Sequence, residues 1–275
     1  MKHLDELVAE VRSSTKYRHV SEDLVRILGE QELSKRTYRE AVKATRSKLH
    51  QVAGAYFDRP PHYSTWLQDM RLARAEGLDA LRAASRRVMS LHASTRERLP
   101  ILDRFYTEIF NHLPPIHSVL DLACGLNPLA IPWMPLSPQS TYIALDIYED
   151  LMTFLEQTII LCDMIPRVIS HSVLPELPHL PRVDLAIMLK ALPCLEQMDK
   201  AAGIHLLEQV QAEYILASFP VRSLGGRSKG MLTNYDEHFR TLTADKTWEI
   251  RRFQFATELA YLITTDTTKC IKNPL

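Results

Sequence analysis

Hydrophobic residues recur at helical spacing through the first ninety residues of the chain. The stretches with this period are residues 4–11, 24–28, 37–55 and 65–89. Arg59-Pro60-Pro61 interrupts the pattern, because proline lacks a backbone donor and ends a helix. The spacing therefore predicts an N-terminal helical domain over residues 1–90.

A different pattern begins after Pro115. Short apolar runs typical of buried strands lie at residues 118–123, 141–147, 167–170, 183–189 and 214–219. Helical stretches at residues 149–164 and 193–210 lie between them, and this alternation is typical of a parallel sheet covered on both faces. Residues 247–255 and 258–264 predict a terminal hairpin. Residues 91–275 are thus predicted to form an α/β domain with a mostly parallel, seven-stranded sheet.

The junction between these two parts carries a helix start signal. Ser94-Thr95-Arg96-Glu97 has the spacing of a capping box, in which the first and last side chains satisfy each other's backbone N–H groups. The signal predicts a helix that opens at Ser94 and ends before Pro114.

Composition restricts the protein class without identifying it. Apolar residues make up 46% and charged residues 24% of the chain, as in ordinary globular proteins. No apolar run is long enough to cross a membrane, and the charged N-terminus lacks the apolar core of a secretory signal. The four cysteines are far apart, with no spacing typical of a zinc site. We therefore expect a cytoplasmic protein without a metal.

Charge is unevenly distributed although the formal net charge is zero. Residues 1–100 contain 19 Lys and Arg against 13 Asp and Glu, whereas residues 121–199 contain 3 against 10. Residues 218–252 are again basic, with 7 against 4. Basic regions favour a polyanionic partner, because contacts with phosphates release counterions. Solvated helix faces without any partner would give the same counts.

Two acidic residues end the first two predicted strands. Asp121 is followed by Ala123 and Gly125, small residues that let a ligand approach the backbone at the first strand-to-helix turn. Asp146 ends the second strand, where an acid is suited to ribose hydroxyls. A carboxylate at Asp121 would repel a pyrophosphate but attract a cationic amino group. The pair favours S-adenosylmethionine over NAD, although an ordinary turn and a helix cap at Asp146 remain open readings.

A glycine-rich basic segment follows the fifth predicted strand. Residues 218–231 hold Arg222, Arg227 and Lys229 together with three of the eight glycines. A basic loop at the carboxyl end of a sheet is suited to holding an RNA backbone or a target base. A surface loop without function is the alternative.

Three segments in this order resemble a known enzyme family. Residues 92–99, 120–130 and 218–231 are similar to motifs of the aminoglycoside-resistance 16S rRNA methyltransferases, which methylate N7 of guanine 1405. The resemblance spans nearly the whole chain. It implies a class I S-adenosylmethionine-dependent methyltransferase fold, Rossmann-like, with an N-terminal helical domain that docks on 16S rRNA within the 30S subunit. We expect a monomer.

The resemblance further implies which residues contact the methyl donor. The residues at matching positions are Tyr56, His92, Ala93, Ser94, Arg98, Ala123, Gly125, Asp146, His171, Ser172 and Leu189. His171 and Ser172 fall at the adenine end and residues 189–191 near the methionine end. The family carries an acidic residue where this chain has Ser172, and a hydroxyl accepts a hydrogen bond more weakly than a carboxylate. Asp163 and a water molecule are the two candidates to compensate.

No single catalytic side chain is expected for this reaction. Guanine N7 has an unprotonated lone pair, so transfer requires mainly that donor and base be held in line. Arg222, Arg227 and Lys229 are the candidates for holding the RNA. The alternatives are a methyltransferase acting on another rRNA or tRNA position and a non-catalytic RNA-binding module with a degenerate donor pocket. An NAD-linked oxidoreductase is disfavoured by the single-glycine turn.

Overall fold

The computed structural model describes residues 2–53, 60–197, 199–221 and 231–265. The first three helices are α1 (Lys2–Arg12), α2 (Glu22–Leu33) and α3 (Tyr38–Ala53). They pack around one buried apolar cluster that includes Leu7, Val11, Leu24, Leu28 and Leu49. This cluster is made by the helical faces that the sequence period predicted.

The predicted helix over residues 65–89 is wrong as a single element. The structure has two helices there, α4 (Tyr63–Glu76) and α5 (Leu78–Met89). Gly77 separates them with a φ of +121°, a conformation that a residue with a side chain rarely adopts. Buried side chains of both helices, among them Met70 and Leu81, belong to the same apolar cluster as one face of the sheet.

The capping box at Ser94–Glu97 is also wrong. Helix α6 (Ala93–Arg98) begins one residue earlier with His92 at its N-cap, so Ser94 lies inside the helix. Glu97 instead pairs with Lys190 across the molecule, at 2.8 Å. A 3₁₀ turn (Leu99–Ile101) containing Pro100 separates α6 from α7 (Leu102–Phe110), because proline cannot continue the backbone hydrogen bonding.

A seven-stranded sheet forms the second half of the protein, as predicted. The strands are β1 (Ser118–Leu122), β2 (Thr141–Asp146), β3 (Ile165–Ser170), β4 (Val183–Leu189), β5 (Ala212–Pro220), β6 (Glu249–Gln254) and β7 (Glu258–Thr264). Their order is β3-β2-β1-β4-β5-β7-β6. The first five are parallel, whereas β7 is antiparallel to β5 and forms the predicted hairpin with β6.

Helices cover both faces of this sheet. The remaining ones are α8 (Glu149–Leu161), α9 (Leu192–Glu196), α10 (Ala202–Gln209) and α11 (Met231–Leu242). The single helical stretch predicted over residues 193–210 is wrong, since α9 and α10 are separate. A turn at Asp199 precedes α10: its carboxylate accepts a hydrogen bond from the Ala201 N–H at 2.9 Å, and its carbonyl accepts one from the Ala202 N–H.

None of the helices that the structure describes is both long and apolar enough to cross a lipid bilayer.

Candidate functional site

A cleft opens at the carboxyl ends of β1, β2 and β4, where the strand order reverses between β1 and β4. Open α/β sheets bind their ligands at such a switch point. The cleft has an empty volume of about 1060 Å³, which includes its opening to solvent, and its lining is mainly apolar. The polar and charged residues of the lining include His92, Ser94, Thr95, Arg98, Asp121, Asn127, Asp146, Tyr148, His171, Ser172 and Lys190.

The turn after β1 presents its backbone to this cleft. Ala123 and Gly125 both have positive φ, +49° and +51°. The Cys124 N–H donates to the Leu145 carbonyl at 3.1 Å and thereby joins the turn to β2. A Cβ atom on Gly125 would lie 3.0 Å from the His92 ring. Gly125 is therefore required both by its backbone conformation and by the close approach of the ring.

Asp146 joins the first two strands at the rim of the cleft. Its carboxylate accepts hydrogen bonds from the Gly125 N–H at 2.8 Å and the Ile147 N–H at 2.7 Å. Burial raises the pKa of Asp146, and these N–H donors oppose the shift. The N-cap of α8 is Tyr148, so the reading of Asp146 as a helix cap is wrong. Its role in the fold is to hold the glycine turn.

Asp121 lies on the floor of the cleft and is 1% exposed. Its Oδ2 atom accepts hydrogen bonds from the Asn127 side-chain amide at 2.9 Å and from the Tyr142 hydroxyl at 2.7 Å. Burial raises the pKa of Asp121 to about 7, although both donors and Arg98 act against the shift. This carboxylate is thus held by protein groups, and its predicted contact with a cationic amino group stays a prediction.

A buried ion cluster lies beneath one end of the cleft. Arg98, from α6, is 1% exposed and its guanidinium donates to both carboxylate oxygens of Glu258, at 2.9 to 3.2 Å. It also donates to the Asn127 side-chain oxygen at 3.0 Å. Glu258, the first residue of β7, is fully buried and accepts a further bond from the Ser218 hydroxyl at 2.6 Å. The pair connects α6 to the far side of the sheet.

Lys190 adds a second cation to this cluster. It follows β4 with a φ of +58°, and its ammonium group donates to the Ser94 carbonyl and to Glu97, both at 2.8 Å. The ammonium also lies 3.6 Å from Glu258. Burial opposes ionisation of Glu258, but Arg98 and Lys190 outweigh it and lower the pKa of this carboxyl. Through Lys190, the cluster therefore fixes the position of helix α6 relative to the carboxyl end of β4.

The His92 ring is buried between the glycine turn and these cations. It is 7% exposed. Burial lowers the pKa of His92 to about 3, and the neighbouring Lys190, Arg98 and Arg96 lower it further in the same direction. The imidazole is therefore neutral throughout the physiological range.

We expect His92 to make the fold sensitive to acid. Its pKa is below the unfolded value of about 6.5, so its contribution to stability is complete above that pH and is lost as pH falls from there towards 3. Between pH 7.5 and 5 this group by itself lowers the free energy of unfolding by about 2 kcal/mol, whereas Asp121, whose pKa is raised to about 7, changes it in the opposite direction. The contribution of His92 is therefore the difference between two proteins, each measured by urea unfolding at both pH values. The change on going from pH 7.5 to 5 should be less unfavourable by about 2 kcal/mol in His92→Gln than in the wild type, and it should match the wild type in a variant of the exposed His117, His117→Gln; equal changes in all three proteins would contradict the assignment.

The rim at the carboxyl end of β3 is built by three residues from two parts of the chain. The Ser172 N–H donates to the Asp23 carboxylate of α2 at 2.8 Å, and His171 Nδ1 lies 3.5 Å from the same oxygen. Asp163, the candidate compensating acid, pairs with Arg74 at 2.6 Å and is not among the residues that line the cleft. A different carboxylate, that of Asp23, thus stands beside Ser172.

Many basic residues of the N-terminal region are paired within the protein. Arg12, Arg26 and Arg86 form ion pairs with carboxylates at 2.6 to 2.7 Å. On α3, Arg39 and Lys43 are exposed and have no ion pair with any residue in the described ranges. The basic surplus in this region is therefore only partly available to a polyanion.

A family model described as ribosomal RNA methyltransferase (FmrO) matches residues 12–262. The chain belongs to the FmrO family of ribosomal RNA methyltransferases. Membership confirms the predicted enzyme class and the predicted rRNA substrate class.

Curated relatives match nearly the whole chain. Those from Micromonospora echinospora and Frankia casuarinae are both 39% identical to it; the matches cover 94% of this chain and 96% and 93% of theirs. One from Serratia marcescens is 34% identical, with 95% of this chain and 98% of the relative covered. Each of the three is named 16S rRNA (guanine(1405)-N(7))-methyltransferase. The family resemblance found in the sequence is thereby confirmed.

Two solved structures have the same architecture. The 16S rRNA methylase RmtB superposes with a TM-score of 0.76 at 30% identity, covering 96% of this chain and 98% of that one. The 16S rRNA methyltransferase RmtF, in complex with S-adenosyl-L-homocysteine, superposes with a TM-score of 0.78 at 29% identity, covering 97% and 99%. These likenesses confirm the class I, Rossmann-like methyltransferase fold of this FmrO-family protein.

The structure brings most of the predicted donor-contacting residues into one cleft. Those that line it are His92, Ser94, Arg98, Asp121, Ala123, Gly125, Asp146, His171, Ser172 and Leu189. Ala93 is buried as the first residue of α6 and does not line it. Tyr56, Arg222, Arg227 and Lys229 lie outside the described residues. Contact of any of these residues with a donor or RNA stays a prediction.

Sequence reasoning missed several residues that shape this cleft. Glu258 lies in a hairpin strand whose local pattern gave no sign of an ion pair, and Asp23 lies in an amphipathic helix. Lys190 had a usable signal, since it is one of only three cations in the acidic region and directly follows a predicted strand. Within the described ranges, no group of three or more His, Cys, Asp or Glu residues is arranged to hold a metal.

Proposed function

We propose that this FmrO-family enzyme transfers a methyl group from S-adenosylmethionine to N7 of guanine 1405 in the 16S rRNA of the 30S subunit. We further propose that this methylation confers aminoglycoside resistance. The observation that carries the proposal is the cleft at the ends of β1, β2 and β4. It gathers the matching residues of a family whose relatives bear this activity in their names.

The cleft has groups suited to each part of the donor. Asp146 ends β2, and its carboxylate keeps a lone pair beyond the backbone bonds that it accepts from Gly125, Ile147 and Tyr148, so it can accept a ribose hydroxyl. Gly125 has no side chain, so the backbone of the turn after β1 is accessible to a ligand in the cleft. Apolar residues of the lining, including Leu24, Ile147 and Val173, offer a surface for an adenine ring. RmtF, which shares the fold, was solved with S-adenosyl-L-homocysteine, the product form of this donor.

Arg98 and Lys190 place fixed positive charge at the other end. Arg98 is held by the buried Glu258, and Lys190 is held by Glu97 and lies near Glu258, so neither cation needs to reorganise when a donor carboxylate arrives. Arg98 is the residue that we propose for that carboxylate. The donor, when bound, supplies an electrophilic methyl group on a sulfonium.

The protein's part in the reaction is chiefly to position the base. Guanine N7 attacks through its own lone pair, so no side chain has to remove a proton first. The His92 imidazole is neutral and buried, and it adds no positive charge near the sulfonium. The base must leave its stack to be reached, at a cost of a few kcal/mol.

RNA contacts are proposed for two parts of the chain. Residues 222–230 begin two positions after the end of β5, whose carboxyl end lies at the same sheet edge as the cleft. Arg222, Arg227 and Lys229 in this segment are our candidates for holding the target nucleotide. Residues 1–90 are proposed as the rRNA-docking domain, with the exposed Arg39 and Lys43 of α3 among its contacts. We propose that the enzyme acts as a cytoplasmic monomer without a metal.

The decisive experiment supplies labelled S-adenosylmethionine with isolated 30S subunits and maps the modified nucleotide. Label at N7 of guanine 1405 is expected, and naked 16S rRNA should be a poor substrate. Label at another position, or in tRNA, would replace the proposed target. Binding to RNA with no transfer and no donor binding would indicate a non-catalytic module.

Three variants separate the two halves of the proposal. Asp146→Ala should weaken donor binding, measured by calorimetry, because the carboxylate holds both the glycine turn and the ribose. Arg222→Ala and Lys229→Ala should leave donor affinity unchanged but lower the methylation rate. If either of the latter changes abolished donor binding, the division of roles would be wrong.

A further inference from the structure

The first turn of α2 lies against the cleft that we propose for the donor. Helix α2 packs with α1 and α3 in a three-helix bundle at the N-terminus, called the N-terminal bundle below. Leu24 of this turn lines the cleft and is 2% exposed. The same side chain belongs to the apolar cluster of α1, α2 and α3. Leu24 is therefore shared between the bundle core and the cleft wall.

Backbone hydrogen bonds fasten this turn to the rim beyond β2. The Ser21 N–H donates to the Ile147 carbonyl at 2.7 Å, and the Glu149 N–H donates to the His19 carbonyl at 2.8 Å. Arg12 of α1 adds an ion pair with Glu149 at 2.6 Å. Ile147 follows Asp146 directly and lines the cleft, so this side of the cleft is held in place by the bundle.

Asp23 makes a second connection, at the end of β3. Its carboxylate accepts the Ser172 N–H at 2.8 Å and lies 3.5 Å from His171 Nδ1. His171 and Ser172 both line the cleft, and Ser172 is 4% exposed. Two adjacent residues of α2 thus contribute to different parts of the cleft. Leu24 lines it directly, and Asp23 contacts His171 and Ser172, which follow β3 and line it.

We propose that Leu24 and Asp23 are part of the methyl-donor site, so that donor affinity depends on the docking of the N-terminal bundle against the sheet. This inference rests on the proposed function, since it takes the cleft as the place where the donor binds. Leu24 is the contact residue, because it offers apolar surface to the adenosine part of the donor. Asp23 is a positioning residue that acts through the 171–172 backbone.

The test for Leu24 compares two leucines of the same helix. Leu24→Ala removes cleft wall, whereas Leu28→Ala truncates an equally buried side chain, 1% exposed, one turn later in the same bundle cluster. Leu28 is not among the residues that line the cleft. We expect roughly tenfold weaker binding of S-adenosylmethionine for Leu24→Ala, by calorimetry on the full-length protein, and less than a twofold change for Leu28→Ala.

Circular dichroism melts of both variants show whether they lose similar stability, and binding is measured well below both transitions. Steady-state methylation adds a readout that stability alone would not move. The KM for the donor should rise in Leu24→Ala, with kcat at saturating donor and the KM for 30S subunits unchanged. Equal losses of donor affinity in the two variants, or none in either, would overturn the role of Leu24.

Asp23 is tested by the acceptor that it provides. Asp23→Ala leaves the Ser172 N–H without this partner and should raise the donor KM several-fold, whereas Asp23→Asn keeps a carbonyl oxygen there and should recover most of the affinity. Glu22→Ala is the matched control, because this neighbouring carboxylate pairs with Arg26 and Arg12 instead. A Glu22→Ala effect as large as that of Asp23→Ala would contradict the proposed role.

Asp146→Ala in the same series separates the two possible failures. If Asp146→Ala weakens donor binding and Leu24→Ala does not, the cleft is the donor site and only the role of α2 is wrong. If neither does, the cleft is not the donor site and the proposed function fails with it.

Discussion

Glu258→Gln is expected to lower the free energy of unfolding by about 3–5 kcal/mol, a large part of the stability of an ordinary domain. Glu258 is fully buried and is the shared counter-charge of Arg98 and Lys190. A glutamine keeps the size of the side chain but leaves the buried guanidinium without its counter-ion. Donor binding should weaken as well, because Arg98 lines the cleft and its orientation depends on its hydrogen bonds to this carboxylate.

Urea unfolding measures the loss, with Glu249→Gln as the control. Glu249 begins β6 in the same hairpin but is exposed, so its amide variant should change stability by less than about 0.5 kcal/mol. A double variant, Arg98→Met with Glu258→Gln, should lose clearly less than the sum of the single losses, because it removes the unpaired cation. Additive losses would show that the two side chains do not stabilise each other.

Gly125→Ala is expected to reduce donor affinity at least about tenfold, equivalent to about 1.4 kcal/mol. The residue has a φ of +51°, which costs an alanine about 1–2 kcal/mol, and its new Cβ would lie 3.0 Å from the His92 ring. The turn or the ring must then shift. Either movement disturbs the hydrogen bond from the Gly125 N–H to Asp146. It also reduces the space for the donor beside the turn after β1.

Gly77→Ala is the matched control for this prediction. Gly77 also has positive φ, +121°, but a Cβ there would meet no atom within 4 Å, and the residue lies between α4 and α5 away from the cleft lining. It should lower thermal stability without changing donor affinity in calorimetry. Donor binding by Gly125→Ala that equals the wild-type value would show that the turn does not face the donor.

Local patterns in the chain predicted the strands and the glycine turn well. The runs over 183–189 and 258–264 coincide with β4 and β7, because an apolar run of seven residues between turn residues is short for a buried helix and has the usual length of a buried strand. The turn after β1 was predictable because its chemistry is contiguous: Asp121, Ala123 and Gly125 lie within five residues. Family resemblance then added His92 and Arg98, which lie far from that turn in the sequence.

The errors came where a local signal competed with tertiary contacts. The capping box at Ser94–Glu97 has the right spacing, but Glu97 makes a stronger charged contact with Lys190, and the helix starts at Ala93. The pattern over 65–89 predicted one helix that continues across Gly77, because many helices tolerate a single glycine within a helical pattern of apolar residues. Its φ of +121° lies at the turn where α4 and α5 fold against each other.

The sequence by itself determined the succession of strands and helices along the chain, the family, and the turn that faces the cleft. Each of these depends on neighbouring residues or on long contiguous motifs. Only the tertiary structure decided which distant groups complete the site. Arg98 and Glu258 are 160 residues apart, and Asp23 and Ser172 are 149 apart. A buried charge is stable only when a partner of opposite charge lies beside it in the folded protein. Neither the residue type nor the spacing along the chain shows which distant residue that partner is.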